Sequence, residues 1–407
     1  MSTPNRRPAP VSTHPNQVKL LVATDHTFIE DQGHVYDDYC FQRSFFDDYL
    51  AEFAQVNVVC RARERIASDT NLGRSDGDGL HFRSVGNLHG PRWIIEASRI
   101  SLPTIAEVGT FAGCIVARVP SQLGYTAAAY ARAQGMPYMC EVIGDPLTAW
   151  PSTKNTLPYR VLGLVECWRM RRALLGASVA SYVTRIELPT RYPAPAAVAT
   201  DFISSIRLPN AWLRPGRTSS PSFAPLKLVH IGSLIPRKRP LDILETAMAL
   251  TNRHGVPTVA VFAGDGPERS KLVNRANEAG LPNCLELLGQ VSSRDGILQL
   301  LDRSDLYICA SGSEGLPRGA LEGMSRGLPL VGTQLPGLQE LLPREELVAI
   351  GDVEGFTRRV LSITSSPEAY FAASTRSCEL AKEYSLSVLS KRRRHLYRLL
   401  SAQVRQP

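Results

Sequence analysis

The chain has 407 residues and a formal net charge of +8, with 43% hydrophobic and 21% charged residues. This composition is ordinary for a soluble protein, and the length predicts two or three domains. No uninterrupted apolar run reaches about eighteen residues, so the sequence predicts no transmembrane helix. The positive charge leaves nucleic acids, anionic lipids and anionic small molecules as candidate partners.

The first sixteen residues and the cysteines bear on the cellular compartment. Residues 1–16 carry charge and proline without an apolar segment, which predicts a disordered tail and not a signal peptide. The eight cysteines form no C-x-x-C pair and lie mostly in apolar surroundings. They are therefore interpreted as reduced core residues of a cytosolic protein, and neither a zinc site nor a disulfide framework is indicated.

Residues 17–210 alternate between apolar strand candidates and helical stretches. Val18–Asp25 is predicted to be a buried strand, followed by a polar loop with Gly33 and a helical stretch near Tyr36–Phe53. Residues 61–80 are predicted to be a charged loop. The alternation indicates an α/β domain with a mainly parallel sheet, whose further strand candidates are Val56–Cys60, Cys114–Ala117, Tyr138–Val142 and Val179–Val183.

A linker rich in proline, serine and glycine is predicted over residues 211–225, and a second α/β domain over 226–384. Two doubly wound, Rossmann-like domains joined by a linker predict a cleft in which a ligand binds. A basic C-terminal helix is predicted over 385–407. In the second domain, strands are predicted at Leu228–Ile231, Val259–Ala263, Leu285–Leu288, Leu306–Cys309, Leu330–Val331 and Val348–Ile350, and helices near Leu241–Asn252, Glu268–Ala279, Asp295–Leu301 and Arg318–Ser325.

Two glutamates, Glu314 and Glu322, flank the predicted start of a helix after the strand Leu306–Cys309. Pro317 suits the first helical position because its missing N–H is not needed there. A helix N-terminus presents free N–H groups and a positive dipole end, which together bind anions such as a diphosphate. Carboxylates beside it would accept hydrogen bonds from hydroxyl groups. The arrangement therefore predicts a nucleotide-sugar site, although one such glutamate alone is more often a helix-stabilising or solvated residue.

Two other strand-to-helix loops of the same domain carry phosphate-type features. One contains Gly232, Ser233, Arg237 and Lys238, and its cations can neutralise phosphates. Taken alone, it is equally well an exposed basic loop. The other loop is a G-D-G-P turn whose glycines allow close backbone approach, and which alone would usually be only a turn: Gly264, Gly266 and Pro267.

Together these segments resemble the donor domain of the retaining glycosyltransferases of family 4, which have the GT-B fold. The resemblance covers nearly all of residues 226–345 and rests on E-G-L-P…E-G-M-S-R-G-L-P, whose two glutamates have the family spacing. It implies that Glu314 contacts the transferred sugar and that Glu322 holds the ribose hydroxyls. The resemblance also implies that donor binding involves Lys238 with Arg237 at the diphosphate, the 264–267 turn, Gly315, Leu316, Pro317 and, at the nucleobase, Val291.

The sequence departs from the family pattern at two places. Many members have an arginine where this chain has Ser233, so Arg237 or Arg239 would have to supply the missing charge. The second family glutamate is followed by alanine, whereas Gly323 stands here. A glycine inside a helix costs about 1 kcal/mol relative to alanine, which suggests close packing at this position.

Three segments of the N-terminal half resemble family 4 enzymes of exopolysaccharide and capsule assembly. They are DHTFIEDQGHVY, CEVIGDPLTAW and LPTRYP. In the GT-B fold this half binds the acceptor, so the resemblance implies cleft positions at His26, Gly33 and Asp145. For His26, a loop histidine with a local hydrogen bond is the more ordinary interpretation.

The resemblance implies a hexosyltransferase-type enzyme that transfers a sugar with retention from a nucleotide-diphosphate sugar to an acceptor hydroxyl. The implied process is exopolysaccharide, cell-surface glycan or glycolipid assembly, with a glycan, lipid-linked or small-molecule acceptor. No cofactor or metal is expected, because the only D-x-D sequence, at residues 76–78, is interpreted as a turn. The expected location is the cytoplasm, including the inner face of the cell membrane.

Alternatives remain open at this point. One is a non-catalytic homologue that binds a nucleotide sugar as an assembly subunit, which the serine at 233 favours. A nucleic-acid-binding protein is not favoured, because no helix-turn-helix, zinc-finger or RNA-recognition pattern occurs. The basic run Lys391–Arg394 is interpreted either as the solvated face of a helix that crosses back to the first domain, or as a docking site for anionic lipid.

Overall fold

The computed structural model describes residues 17–38, 41–69, 72–147, 156–221, 224–291 and 293–404. The predicted tail over 1–16 and the end of CEVIGDPLTAW lie outside these ranges. The described residues form two compact units. The first contains the chain up to Ser205 and again from Ser390 onward, and the second contains Ile206–Leu389. None of the described helices is long and apolar enough to span a bilayer.

The first unit is built on a sheet with β1 at its centre. Along the described chain the strand order is β4-β2-β1-β6-β7-β8-β9, while β3 also pairs with β1, and β5 pairs with β3. The pairs β1–β2 and β2–β4 are antiparallel, and the others are parallel. The strands are β1 (Lys19–Asp31), β2 (His34–Asp37), β3 (Gln55–Glu64), β4 (Gly73–Arg74), β5 (Leu80–Ser84), β6 (Cys114–Val119), β7 (Tyr138–Val142), β8 (Val179–Tyr182) and β9 (Ala199–Phe202).

Helices cover both faces of this sheet, and each face has its own apolar core. One core packs around Leu21, Ile115 and Cys140, and the other around Leu20, Val58 and Val116. This alternation along the strands is expected for a sheet buried on both sides. The described helices are α1 (Asp47–Leu50), α2 (Gly90–Gly109), α3 (Gln122–Gln134), α4 (Leu157–Leu174) and α5 (Glu187–Arg191).

The predicted polar loop around Gly33 is a two-residue turn, and the predicted helical stretch near Tyr36–Phe53 is partly wrong, because His34–Asp37 is a strand whereas Arg43–Phe46 and Asp47–Leu50 are helical. β1 continues to Asp31, and a two-residue turn leads directly into β2. Gln32 and Gly33 have φ of +49° and +80°, which is the combination that closes tight β-hairpins. The predicted charged loop over 61–80 is also partly wrong, because β3 extends to Glu64 and pairs with β1.

The second unit contains a five-stranded parallel sheet in the order β12-β11-β10-β13-β14. Its strands are β10 (Leu226–Ile231), β11 (Thr258–Ala263), β12 (Leu285–Gly289), β13 (Leu306–Cys309) and β14 (Leu330–Gly332). The helices are α6 (Pro240–His254), α7 (Arg269–Glu278), α8 (Arg294–Asp302), α9 (Arg318–Ser325), α10 (Pro336–Gln339), α11 (Val353–Thr364) and α12 (Pro367–Lys382).

The predicted strand Val348–Ile350 is wrong. Val348 forms a single bridge with Thr333, through hydrogen bonds to Gly332 and Gln334. Gly351 then adopts φ of +85°, which turns the chain toward α11 before a second pair can form.

The described part of the predicted linker is bonded to the second unit. Arg214 N–H donates to the Ser325 carbonyl at 2.9 Å. The Arg217 guanidinium donates to three backbone carbonyls of the same unit, those of Leu301, Asp302 and Arg326. The composition of this segment signals irregular backbone, but these bonds fix its position on the second unit.

The last helix is α13 (Leu386–Gln403), and the arginines of its basic run have partners within the protein. Arg393 is buried and lies 2.6 Å from the carboxylate of Asp48, and Arg394 lies 3.2 Å from the other oxygen of that carboxylate. Arg392 lies over the ring of Phe202. The interpretation of this run as a solvated face is therefore wrong for Arg393, and the run is poorly suited to bind lipid.

A buried carboxylate connects α13 to the first sheet. Glu141 of β7 accepts hydrogen bonds from the hydroxyls of Tyr49 and Tyr397, both at 2.8 Å. Its other oxygen lies 2.5 Å from the guanidinium of Arg118 on β6. Since a buried charge is tolerated only when it is paired, these groups depend on one another.

We expect Glu141→Gln to lower the free energy of unfolding by about 3 kcal/mol, because it leaves the buried Arg118 cation without its counter-charge. Urea denaturation monitored by circular dichroism measures this change. The matched control is Glu52→Gln, which breaks an ion pair with the exposed Arg398 and should cost at most about 0.5 kcal/mol. Equal effects of the two changes would show that Glu141 has no special role.

Candidate functional site

The loops that follow β10, β11 and β12 contact one another through their backbones at the carboxyl edge of the second sheet. Gly264 N–H donates to the Gly289 carbonyl at 2.8 Å, and Gly232 N–H donates to the Ala263 carbonyl at 3.0 Å. Ligands of parallel α/β sheets commonly bind at this edge. The predicted donor loops thus meet at one edge of the fold.

The glycines of the G-D-G-P turn are required by this loop contact. Gly264 and Gly266 have φ of +154° and +158°, which side chains rarely adopt. A Cβ atom on Gly264 would lie 2.0 Å from the Gly232 carbonyl oxygen, and one on Gly266 would lie 2.4 Å from that of Leu234. The close approach predicted for these glycines is therefore an approach of protein backbone to protein backbone, followed by the exposed Pro267.

The loops after β10 and β13 are joined by charge. The Lys238 ammonium contacts the Glu314 carboxylate, and Arg237 Nη1 lies 3.4 Å from the same oxygen, Oε2. The buried hydroxyl of Ser311 donates to this oxygen at 3.2 Å. Arg237 also donates to the Ser313 carbonyl. The structure thus brings together the three residues predicted to be catalytic, and Ser311, which the sequence analysis missed, completes the cluster.

The N-terminus of α9 lies directly after this cluster in the chain. Pro317 is the N-cap, with φ of −76° and ψ of 113°, and the predicted first helical position is wrong because the helix begins at Arg318. The first turn contains no acidic residue and starts with this arginine. The Arg318 cation and the positive end of the helix dipole repel each other. An anion that binds at this position would therefore be stabilised by both.

Glu322 lies one turn further along α9. Its carboxylate is 3.6 Å from the guanidinium of Arg318, and its side chain is 13% exposed. Burial raises the pKa of Glu322 above its usual value, while Arg318 and Arg294 oppose that shift. A carboxylate has about four lone-pair sites, so Glu322 can accept hydrogen bonds in addition to its ion pair with Arg318.

Two glycines allow α9 to lie directly on the sheet. A Cβ atom on Gly319 would lie 2.3 Å from the Tyr307 hydroxyl, and one on Gly323 would lie 2.7 Å from the Tyr307 ring. The Tyr307 hydroxyl is 3.2 Å from both the N and the O atom of Ile231 at the end of β10. The close packing suggested for Gly323 is thus present, and the tyrosine against which it packs sets the distance between α9 and the β10 loop.

A third glycine positions the loop that contains Glu314. A Cβ atom on Gly337, in α10, would lie 1.8 Å from the carbonyl oxygen of Gly315. By contrast, a Cβ atom on Gly315 would have no described heavy atom within 4 Å. Leu316 is half-buried and Pro317 is buried. The family-like Glu-Gly-Leu-Pro segment is therefore held in place from behind by α10.

We expect Gly337→Ala to displace the Glu314 loop and to weaken nucleotide binding at least tenfold, whereas Gly315→Ala should change it less than threefold. The first substitution forces a backbone overlap, and the second adds a methyl group in open space. Isothermal titration with nucleoside diphosphates measures the effect. Similar affinities for both variants would contradict the positioning role of Gly337.

A buried histidine lies beneath the β10 loop. His230 Nδ1 is 3.0 Å from the Ile308 carbonyl, so this nitrogen carries the proton. Nε2 is buried and has no hydrogen-bond partner among the described residues. A Cβ atom on Gly232 would lie 3.4 Å from it. Burial lowers the pKa of His230 to about 4, helped by Lys238 and opposed by the Ile308 carbonyl and Glu314.

We expect this histidine to make the protein less stable in mild acid. The unfolded histidine takes up its proton near pH 6.5 and the folded one near pH 4, so the unfolded state binds more protons in this interval. His230 should therefore lower the free energy of unfolding by about 3 kcal/mol as the pH falls from 6.5 to 4.

Denaturation curves of wild type and His230→Asn across this pH range measure the contribution. Asparagine keeps a donor for the Ile308 carbonyl but does not titrate, so its curve should be flatter. The exposed His254 at the end of α6 provides the control substitution, His254→Asn. Parallel curves for wild type and His230→Asn would contradict the assignment.

The predicted acceptor-side residues have structural partners within the first unit. His26 Nε2 lies 2.5 Å from Asp37 Oδ1, and its ring stacks on Phe41, which agrees with the interpretation as a locally bonded histidine. Gly33 occupies the hairpin turn. Asp145 lies 2.5 Å from the Tyr192 hydroxyl and pairs with Arg191, so it joins the segment CEVIGD to LPTRYP. A role in acceptor binding stays a prediction for all three.

Two further arrangements in the first unit involve carboxylates. Asp25 accepts hydrogen bonds from the N–H groups of Gln122 and Leu123, at 2.9 and 3.0 Å, and so occupies the N-terminal end of α3 with the protein's own anion. Asp76 of the D-x-D sequence pairs with Arg74 and His34. Within the described ranges, no group of three histidine, cysteine or acidic residues could hold a metal ion.

Solved structures share this fold. The HepE protein of Anabaena, solved with UDP, matches with a TM-score of 0.60 and 15% identity over 92% of this chain and 98% of its own. Sucrose-phosphate synthase of Thermosynechococcus elongatus matches with a TM-score of 0.62 and 15% identity over 95% and 100%. The fold is GT-B, as predicted, with two Rossmann-like units.

The sequence comparisons point in the same direction. Residues 222–377, which are less than half of the chain, match the family model for glycosyl transferases group 1. Protein CapJ of Staphylococcus aureus is 22% identical over 322 residues, which are 79% of this chain and 80% of CapJ. The UDP-Gal:alpha-D-GlcNAc-diphosphoundecaprenol alpha-1,3-galactosyltransferase of Escherichia coli is 31% identical over 139 residues, 33% of this chain and 35% of the relative.

Proposed function

We propose that the protein is a retaining, hexosyltransferase-type glycosyltransferase that moves a sugar from a nucleotide-diphosphate sugar to an acceptor hydroxyl. The observation that carries the proposal is the cluster of Glu314, Lys238 and Arg237 beside the N-terminus of α9. A carboxylate, two cations and a helix N-terminus without a side-chain cap at one place suit a ligand with both hydroxyls and a diphosphate.

In the reaction, the bond between the anomeric carbon and the diphosphate oxygen breaks, and the acceptor oxygen forms the new bond to that carbon. The leaving phosphate takes the acceptor's proton, so charge and atoms balance. Lys238, Arg237 and the α9 N-terminus stabilise the charge that develops on the diphosphate, which is electrostatic catalysis by groups already in place. No step of this mechanism uses a metal ion or a cofactor.

Donor binding changes the partners of the cluster. The diphosphate replaces Glu314 as the partner of Lys238, and the freed carboxylate accepts hydrogen bonds from the hydroxyls of the transferred sugar. Glu322 accepts those of the ribose. Gly232, Ser233, the 264–267 turn and Val291 remain the proposed lining of the donor site, as the family resemblance implies.

Arg237 bears on the non-catalytic alternative. That alternative depended on Ser233 standing where many family members have an arginine. Arg237, four residues later in the same loop, lies beside Glu314 and supplies a cation there. Arg239 is instead paired with Asp242 at 2.6 Å. Arg237 therefore supplies the positive charge that an arginine at position 233 would supply, and the catalytic proposal is favoured.

A uridine nucleotide is the first donor class to test. HepE was solved with UDP-glucose as well as with UDP, and the Escherichia coli relative is named for UDP-galactose. The name of that relative contains a diphosphoundecaprenol-linked sugar, which supports a lipid-linked acceptor as the leading candidate. The proposal extends to cell-surface polysaccharide assembly in the cytoplasm. Contact with an anionic membrane belongs to the same proposal, although α13 is not its best site.

We expect Glu322→Ala to abolish stabilisation by the donor nucleotide, and Glu314→Gln to lower turnover at least a hundredfold while nucleotide binding changes less than tenfold. A ligand at about 100 times its Kd stabilises a protein by ~2.7 kcal/mol, which thermal shift detects readily. UDP-, GDP-, ADP- and dTDP-sugars are screened first. Proton NMR of the product then gives the anomeric configuration and so tests retention.

The control is Glu286→Gln, which changes an exposed glutamate of β12. It should behave as wild type in both assays. If no nucleotide stabilises the wild type, or if the Glu322 variant responds equally, then the donor site is wrongly assigned. Nucleotide binding without turnover on any acceptor would favour the non-catalytic subunit instead.

A further inference from the structure

The helix α4 is apolar on two opposite faces. One face carries Cys167, Met170 and Leu174 into the core of the first unit. The opposite face presents large apolar side chains to solvent at helical spacing: Leu157, Val161, Leu164, Val165 and Trp168, continued by Leu175. A helix that is apolar all round normally has both faces covered. We call these six exposed residues the outer face of α4.

The outer face is the largest concentration of exposed apolar side chains on any one described helix. Leu157 is 74% exposed, Leu164 is 62% exposed and Trp168 is 59% exposed. Exposed apolar residues scattered singly are normal, but a contiguous patch indicates a binding surface. Trp168 is a residue type that favours the boundary between water and lipid.

The exposed charged side chains of α4 beside the outer face have one sign. Arg160, Arg171 and Arg172 are exposed. The helix has a single acidic residue, Glu166, which is 2% exposed and accepts a hydrogen bond from Gln122. The guanidinium of Arg172 lies 5.3 Å from the centre of the Trp168 ring. An apolar stripe whose exposed charged neighbours on the same helix are arginines complements a surface with a hydrocarbon interior and anionic headgroups.

A groove beside Trp168 extends this surface. It has a volume of about 560 Å³ and is bounded by α2, α3 and α4. Its lining includes Leu102, Ala129 and Ala133, together with Arg132 and Arg172. An apolar groove with cations along it suits a lipid, because the chains are apolar and the headgroups are anionic.

We propose that the outer face of α4 is the membrane-docking surface of this protein and that its partner is an anionic lipid bilayer, an inference that rests on the membrane contact in the proposed function. The helix lies in the plane of the interface, with the apolar side chains inserted and the three arginines at the headgroups. A second copy of the chain is a poorer partner. A twofold contact through α4 would bring two sets of arginines together without acidic residues to pair with them.

Co-sedimentation of the full chain with vesicles tests the proposal. One set of vesicles is pure phosphatidylcholine, and the other contains one third phosphatidylglycerol. The wild type should bind the anionic vesicles at least tenfold more tightly, and salt should weaken that binding. Leu164→Ser combined with Trp168→Ser should lower the affinity at least tenfold, as should Arg171→Gln combined with Arg172→Gln.

Matched controls use exposed residues of the same unit outside α4. Phe111→Ser removes an exposed aromatic ring, and Arg99→Gln removes an exposed cation on α2. Both should bind vesicles as the wild type does. All the altered side chains are exposed, so thermal melting should remain unchanged and would confirm that the variants are folded.

Three results would overturn the proposal. The first is equal binding of the wild type to both kinds of vesicle, and the second is undiminished binding by the Leu164 and Trp168 variant. The third is a wild type that forms a soluble dimer and does not bind vesicles, together with a Leu164 and Trp168 variant that is monomeric. Light scattering measures the oligomeric state of both. That result would assign the outer face of α4 to a second copy.

Discussion

Direct contact between backbone segments is the constraint on which the second unit depends. At Gly264, Gly266 and Gly337, an added Cβ atom would lie within 2.4 Å of a carbonyl oxygen of a neighbouring loop. The loops therefore hold each other in position without intervening side chains. Packing of this kind does not tolerate added side-chain atoms, since a backbone cannot move aside as a flexible side chain can. The charges at Glu314 and Lys238 are precise in position because the loops that carry them have little freedom.

The helix α9 is positioned in a related way, through one tyrosine. Tyr307 lies under Gly319 and Gly323, and its hydroxyl bonds to the end of β10. One side chain thus sets both the height of the helix above the sheet and its distance from the loop with Lys238. The two glycines lower the helical propensity of α9, and the close packing against Tyr307 that they allow offsets this cost. In the first unit, Asp25 occupies the N-terminal end of α3 with a carboxylate, whereas α9 of the second unit begins with a cation, Arg318.

The sequence was most informative where periodicity and turn chemistry agree. The strand Leu306–Cys309 was predicted to the residue, the helix Arg318–Ser325 was predicted except for the placement of Pro317 as its first residue, and the fold class is confirmed. It was least informative where long-range contacts decide. The hairpin at Gly33 depends on a positive φ at Gln32, which no local sequence pattern predicts. Ser311, His230 and Gly337 carry no motif, because their importance lies in neighbours distant in sequence, and the basic run of α13 could not reveal that Asp48 would pair with it.

If the diphosphate binds Lys238 as proposed, the contact between Lys238 and Glu314 has a consequence for product release. The carboxylate is tethered a few ångströms from the ammonium, so its effective concentration there is high whatever the surrounding solution contains. A nucleoside diphosphate must compete with it on entry, which weakens the apparent affinity. The same carboxylate recaptures the lysine as soon as the diphosphate loosens, which speeds departure. An internal competitor of this kind gives up tight binding of the free nucleotide in return for faster turnover.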